Sequence, residues 1–475
     1  MHDIVSLPAR KRLQDMFDRQ QHAWAERGAL STERRDEALE GLADALVRHA
    51  DAFAQAVSQD FGHRSIHETK LADLYPVIAG LRHARKRFRR WMKPRRGPIQ
   101  MMFLPASGRV HYQPLGVVGI ISPWNYPVQL ALAPLAGALA AGNRVLIKPS
   151  ELTPRTSALL ERVIGEVFDE SEVAVVQGGV DVAQAFARQP FNHLFFTGST
   201  TVGREVMKAA AENLVPVTLE LGGKSPALVA PDYPLAKAAE RIAAGKLFNA
   251  GQTCIAPDYV LVPRESEAAF VAAFTGAVAR LYPSLAENPD YTAIVNDSHV
   301  ERLRHLIDDA REKGATLHEI NPADEPIESG SRKIAPVLLT NVPLQSLAMQ
   351  EEIFGPVLPV IPYDGIDEAI RFVDARPHPL ALYVFSHERR LVETVLAQTQ
   401  SGGVAVNETL LHCVQEELPF GGVGPSGMGA YHGEAGFRTF SHARSVFRQA
   451  RLNGAGMTKP PYRSRMERML SLLLR

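Results

Sequence analysis

The sequence predicts an α/β protein built on parallel sheets in two domains, with a smaller β element beside them. Three observations carry that reading. The chain has 475 residues, more than one hydrophobic core ordinarily serves. Short apolar runs rich in valine, isoleucine and phenylalanine alternate with helical stretches from about residue 117 to about residue 400. The runs end in loops carrying glycine or isolated polar residues, as the strand ends of such folds do.

Composition narrows the function. At 45% hydrophobic and 22% charged residues, the chain has ample material for a soluble core. Lysine plus arginine and aspartate plus glutamate each total 52, which argues against both a nucleic-acid binder and an acidic scaffold. Two cysteines cannot brace a chain this long, so a reducing, cytoplasmic setting is expected. The N-terminal MHDIVSLPARKRLQDMF lacks the apolar run of a secretory signal. The C-terminal MERMLSLLLR is shorter than the roughly 20 apolar residues a membrane span needs, and is expected to pack on protein, with a membrane surface as the alternative.

The elements follow in order. Leu39, Leu42, Leu46, Phe53 and Val57 recur at helical spacing, which predicts one amphipathic helix from Ser31 to Phe61 with Ser31 or Thr32 as N-cap. The basic run Arg82 to Arg96 reads as a solvated helix end and linker rather than a binding patch. Residues Pro98 to Pro114 read as a hairpin. VVGIIS (Val117 to Ser122) is a buried strand, and Pro127 to Ala141 a helix ending at Gly142. RVLI, VAVV and HLFF supply further strands, with a helix from Thr156 to Phe168 between the first two. A second alternation runs from Glu220 to about residue 400, and Gly421 to Gly436 reads as a structured loop region.

Three strand ends carry unusual polar groups: Trp124 and Asn125 after VVGIIS, Lys148 and Glu151 after RVLI, and Gly198, Ser199 and Gly203 after HLFF. The last set opens a helix whose free N–H groups suit a phosphate. Its G-x-x-x-x-G spacing matches neither a dinucleotide fingerprint nor a P-loop, so alone it also fits a plain strand-to-helix turn. Lys148 and Glu151 suit ribose hydroxyls, or a simple ion pair. Cys254 in FNAGQTCIAPDY has small neighbours that leave its sulfur approachable. An unperturbed thiol is only about 3% ionised at pH 7, so a nucleophile here needs help. Glu220 of ELGGKSP is a candidate general base, and the Asn125 amide a candidate oxyanion donor. Cys413 reads as a packing residue, or else as a redox-sensitive neighbour of the site, and no metal ligand set is expected.

Taken together, PWNYP, KPSE, FTGSTTVG, ELGGKSP, NAGQTC, EEIFGP and PFGG resemble the NAD(P)-dependent aldehyde dehydrogenase family, in its order, over residues 20 to 450. CIAPDYVLVP, PLALYVFS and GMGAYHGEAGFRTFSH are similar to its class of fatty and aromatic aldehyde dehydrogenases. HYQPLGVVGIISPWNYPVQLALAPLAGALAAGNRV and LPFGGVGPSGMG are similar to the bacterial coniferyl aldehyde dehydrogenases.

The resemblance implies a Rossmann-type NAD(P)-binding domain over residues 1–97 and 115–218 and a catalytic domain over 219–405. It assigns oligomerisation to residues 98–114 and 406–450, leaving 451–475 as a tail. Cys254 would be the nucleophile, forming a thiohemiacetal and then, after hydride transfer, a thioester that Glu220 hydrolyses through water. Asn125 and the Cys254 N–H would hold the oxyanion. Trp124, Leu221, Gly198, Ser199 and Gly203 fall at cofactor positions. Lys148 and Glu151 fall at the adenosine ribose, and Glu352 and Phe354 at the nicotinamide ribose and ring. NAD is expected, with NADP tolerated, since Glu151 would repel a 2′-phosphate. A homodimer acting on a small aldehyde is expected, coniferaldehyde first and medium- or long-chain alkanals as the alternative. An acylating relative would not need a water-activating glutamate, so Glu220 favours hydrolysis.

Overall fold

The structure is a computed structural model describing residues 2–454, 459–462 and 464–474. Among these residues it holds three sheets. The first runs, in spatial order, Gly427–Met428, Val217–Glu220, His193–Thr197, Val117–Ile121, Arg144–Lys148 and Val173–Val175. Every pair in it is parallel except that of Gly427–Met428 with Val217–Glu220. The second runs Thr316–Glu319, Val337–Thr340, Val357–Tyr363, Tyr259–Pro263, Pro226–Val229, Ala381–Phe385 and Gly403–Val406, antiparallel only at its first pair. The third joins Arg95–Gly97, Ser107–Pro114 and Ser441–Arg448, all antiparallel.

Period-two alternation explains why the central strands read as continuous apolar runs. In Val117–Ile121, Val118 and Ile120 enter one core cluster with the helices Thr32–Arg48, Tyr75–Trp91 and Gln129–Ala141. Val117 and Ile121 enter the opposite cluster with Leu13, Phe17, Phe186 and Val206. A parallel sheet covered on both faces needs apolar side chains at every position. In the second sheet, Val260 and Val262 face one cluster while Tyr259 and Leu261 face another.

Several elements differ from the sequence reading. The expected helix from Ser31 to Phe61 is two, Thr32–Arg48 and Ala50–Phe61. His49 takes φ −99°, ψ 11° between them, and its ring nitrogen meets Glu166 at 2.9 Å. Leu39, Leu42, Leu46, Phe53 and Val57 still reach one cluster, because the break turns the second helix without rotating its apolar face outward. Ser31 is the N-cap, accepting from the Arg34 N–H. The hairpin starts earlier than Pro98, at Arg95, and its second strand also pairs with the distant Ser441–Arg448. Inside the glycine-rich region, Gly427–Met428 closes the edge of the first sheet beside Glu220.

The basic run lies mostly in Tyr75–Trp91, where Arg85 and Arg89 pair with Asp36 and Arg87 with Glu417. The C-terminal segment forms a helix, Ser464–Leu473, that leaves Leu472 and Leu474 exposed in the single chain. No helix among the described residues is long and apolar enough to cross a membrane.

Candidate active site

A cleft opens where the carboxyl ends of the first sheet meet the amino ends of strands in the second. Trp124 and Asn125 follow the strand Val117–Ile121. Gly198 and Ser199 follow His193–Thr197, while Glu220 and Leu221 lie at the end of Val217–Glu220. Facing them are Cys254, just before Tyr259–Pro263, and Glu352 and Phe354, just before Val357–Tyr363. Nine of the twelve residues singled out in the sequence line this one cleft. Lys148, Glu151 and Gly203 do not.

The Cys254 loop is held in an unusual conformation. Asn249, Ala250 and Gly251 take φ of 53°, 51° and 77° in succession. The two non-glycine residues there cost about 1–3 kcal/mol each. Gly251 has a second reason: a Cβ would stand 2.3 Å from the Gly355 carbonyl oxygen. The Cys254 loop is thus pressed directly against the loop carrying Glu352 and Phe354. Hydrogen bonds hold the turn. Gln252 donates through Nε2 to the Asn249 and Ala293 carbonyls at 3.0 and 3.1 Å, and its Oε1 accepts from Val295 N–H at 3.0 Å. The Tyr126 hydroxyl meets Thr253 Oγ1 at 2.6 Å, and the Asn125 amide donates to the Gln252 carbonyl at 3.1 Å. Tyr383 donates from the other side to the Ile255 carbonyl at 2.5 Å.

Electrostatics set the resting state. Burial pushes the Cys254 thiol far above its ordinary value, and Glu352, Cys413 and Glu220 push the same way. Burial alone raises Glu220 well above the carboxylate range, and neither of its oxygens has a hydrogen-bond partner. Glu352 rises to about 8, chiefly by burial and then by Asp258. Burial thus favours the protonated form of all three groups.

The loop bearing Glu352 is fixed from below. Lys224 donates to the Ala348 and Glu351 carbonyls at 2.8 Å and pairs with Asp258 at 2.5 Å. Asp258 in turn accepts from Ile353 N–H at 3.1 Å. Phe354 takes φ 50° and meets Trp124 edge-on at 5.4 Å. Glu352 Oε1 is buried and unpartnered, an acceptor suited to a ligand hydroxyl.

The helix Thr200–Ala211 begins with Ser199 as its N-cap, accepting from Val202 N–H at 3.3 Å. Gly203 lies one turn inside, where a Cβ would stand 2.7 Å from Leu221 Cδ2. Its part here is to let that helix approach Leu221. Lys148 is buried, with its ammonium 3.0 Å from Glu151 and 2.9 Å from the Pro149 carbonyl, so the simple ion pair exists. Residues present therefore fit a dinucleotide: an orphan acceptor at Glu352, the helix start that follows Ser199 and the crossed aromatic rings of Trp124 and Phe354.

Sequence reasoning missed His299 and Arg302. Both line the cleft from the helix Asp297–Glu312. The His299 ring lies 5.0 Å from Trp124, and Arg302 donates to the Ile353 carbonyl at 2.6 Å. Their H-x-x-R spacing sits in a strongly charged amphipathic helix and looks like any solvated face. Cys413 and Cys254 both pack against the core cluster that covers one face of the second sheet.

Comparison with known proteins agrees with this geometry. Residues 6–446 match the model of the aldehyde dehydrogenase family. A probable coniferyl aldehyde dehydrogenase of Pseudomonas aeruginosa is 51% identical over 96% of this chain and 95% of its own. The coniferyl aldehyde dehydrogenase of Pseudomonas sp. strain HR199 is 49% identical over 98% and 96%. Among solved structures, the substrate-bound state of Staphylococcus aureus AldH superposes with a TM-score of 0.90 at 37% identity, covering 97% of this chain and 99% of that one. PnpE in complex with nicotinamide adenine dinucleotide superposes with a TM-score of 0.85 at 26% identity, covering 94% and 91%.

Proposed function

The chain belongs to the aldehyde dehydrogenase family, and from that premise we propose that it oxidises an aromatic aldehyde of the coniferaldehyde kind to its carboxylic acid with NAD. The observation that carries the mechanism is the meeting of Cys254, Glu220 and Asn125 in one cleft. The substrate class rests on the relatives named for coniferyl aldehyde, at 49–51% identity over nearly the whole chain.

After its proton has left to solvent, the Cys254 thiolate bonds to the aldehyde carbon, and the electron pair of the carbonyl π bond moves to the oxygen, which becomes an oxyanion. The Asn125 amide and the Cys254 N–H stabilise that charge, an effect worth about 2.7–4 kcal/mol for one donor. NAD, when bound, supplies the hydride acceptor and a positive ring that favours the thiolate. Loss of hydride from the carbon leaves a thioester on Cys254. Glu220 then takes a proton from water, the hydroxide adds to the thioester carbon, and collapse releases the acid and the thiolate. Glu352 and Phe354 would hold the nicotinamide ribose and ring, and Trp124, Gly198, Ser199 and Leu221 the neighbouring parts of the cofactor. Gly203 supports that wall through Leu221, and Lys148 with Glu151 would meet the adenosine ribose. Glu151 disfavours a 2′-phosphate, so NADP is a poorer cofactor than NAD.

A cytoplasmic homodimer is part of the same reading. The third sheet exposes Phe447 (55%) on an edge strand, a surface suited to cover by a second copy. Light scattering should give about twice the 52.0 kDa chain mass. The deciding assay follows reduced cofactor with coniferaldehyde, benzaldehyde and hexanal, beside the Cys254→Ala variant. Turnover best with coniferaldehyde and absent in the variant supports the proposal. A clear preference for hexanal would move the substrate to the aliphatic class, and activity surviving in the variant would overturn the thiol mechanism.

A further inference from the structure

Arg64 and Asp73 are charged groups with side chains 0% exposed, paired at 3.2 Å, and the mechanism above uses neither. Arg64 precedes, and Asp73 lies within, a short stretch outside all three sheets that comprises Ile66–Glu68 and Thr69–Leu74. Arg64 Nη1 donates to the Asn125 carbonyl at 2.8 Å. Its guanidinium lies 4.8 Å from the Tyr126 ring and 5.1 Å from the Phe61 ring, while Nε and Nη2 have no hydrogen-bond partner among the described residues. Asp73 Oδ1 accepts from Val128 and Gln129 N–H at 3.1 and 3.0 Å, at the start of Gln129–Ala141.

The same stretch grips the other side of the reaction. Glu68 accepts from Asn249 N–H at 3.2 Å and from the Thr292 hydroxyl at 2.9 Å. Asn249 Nδ2 donates to the Asn125 and Gln252 carbonyls, each at 3.1 Å. The Asn125 carbonyl therefore receives Arg64 from one side and the nucleophile loop from the other. Buried ion pairs seldom stabilise a fold more than apolar residues of the same shape would. What this one supplies is a fixed direction: one N–H of a planar guanidinium against one carbonyl, with the Tyr126 and Phe61 rings beside that plane.

We propose that Arg64 is a positioning residue for the oxyanion site, holding the Asn125 backbone so that its side-chain amide meets the substrate oxygen as the Cys254 sulfur bonds to carbon. This rests on the reading of Asn125 and Cys254 given above. Displacement of a catalytic group by about 1 Å costs on the order of 100-fold in rate, so a loose Asn125 is enough to slow the enzyme.

The test uses the full-length protein with NAD and coniferaldehyde. Arg64→Gln alone strands Asp73 in the core, so Arg64→Gln/Asp73→Asn is made beside it to remove both charges together. Arg64→Lys, Asn125→Ala and Arg64→Gln/Asp73→Asn/Asn125→Ala complete the set. The expected result is kcat lower by about 100-fold in the neutralised pair, with NAD affinity, read by fluorescence titration, within about twofold of the parent. Arg64→Lys should recover only part of the rate, since it keeps the charge and loses the planar group that packs against Tyr126 and Phe61. Adding Asn125→Ala to the neutralised pair should cost little beyond Asn125→Ala alone. Parental kcat in the neutralised pair, fully multiplying losses, or a fall in NAD affinity equal to the fall in kcat would each overturn the inference. A silent Asn125→Ala would overturn the oxyanion reading itself.

Discussion

Gly222 and Glu352 share one space: a Cβ on Gly222 would stand 2.2 Å from Glu352 Oε2. The glycine between Glu220 and Lys224 is thus the room in which the Glu352 carboxylate lies. Gly222→Ala should push that carboxylate off its position and raise the KM for NAD by about tenfold, ~1.4 kcal/mol, with a smaller effect on the aldehyde KM. Steady-state kinetics with each substrate varied in turn decide it. An unchanged KM for NAD would show that Glu352 does not hold the cofactor from that place.

Glu220 carries two buried oxygens without partners, and burial holds its pKa well above the carboxylate range. A general base must first lose its proton, so turnover should climb with pH through that raised value rather than near the ordinary 4.5. Glu220→Gln should cut steady-state turnover by about 10²–10⁴-fold, keep a first burst of reduced cofactor, and flatten the alkaline rise. Stopped-flow traces across pH separate these outcomes.

The same burial has a stability consequence. Above its ordinary pKa the unfolded chain releases a proton that native Glu220 keeps. The stability this group contributes is complete below about pH 4.5 and is lost as pH rises through the raised value. Glu220→Gln, neutral at every pH, should melt higher than the parent at pH 8, with the gap closing toward about pH 4.5. Thermal melts of the two proteins at both pH values test this.

Lys148 is buried and bonded to Glu151, whose side chain remains 39% exposed. Glu151→Gln should remove the repulsion toward a 2′-phosphate and raise kcat/KM with NADP relative to NAD by about tenfold, ~1.4 kcal/mol. A comparison of the two cofactors checks it, and an unmoved ratio would detach Glu151 from the ribose.

Asn143 is completely buried and ties three segments together. Its Oδ1 accepts from Gly116 N–H at 2.9 Å, and its Nδ2 donates to the Phe440 and Ala138 carbonyls at 2.9 and 3.2 Å. Asn143→Ala leaves buried backbone groups without partners and should cost about 3 kcal/mol of stability, read as a lower denaturant midpoint. The Cys254 chemistry should be unchanged in the folded fraction.

Much of the site was legible because its residues sit at loop positions that the alternating pattern leaves conspicuous. Glu220 ends an apolar strand two residues before a pair of glycines, Cys254 follows Gly251 in a loop of small residues, and Asn125 stands between Trp124 and Tyr126. His299 and Arg302 were hidden because a charged helix face carries no local sign of which turn meets a cleft. Arg64 and Asp73 were hidden for a related reason: lone charges read as surface groups, and only packing reveals that both are fully buried. The break at His49 escaped because the apolar spacing on either side of it stays helical.

The sequence by itself determined the parallel-sheet architecture, the two alternating segments and the identity of the candidate reactive groups. Those properties follow from local periodicity and from residue types that few other arrangements require. The tertiary structure decided which of those groups share a cleft, which protons burial holds in place, and what stands behind them. Such features depend on contacts between segments far apart in the chain, as between Arg64 and Asn125, or Gly251 and Gly355. Desolvation likewise has no local signature, because a carboxylate's pKa is set by what surrounds it after folding, and residues from several strands and helices surround Glu220 only then.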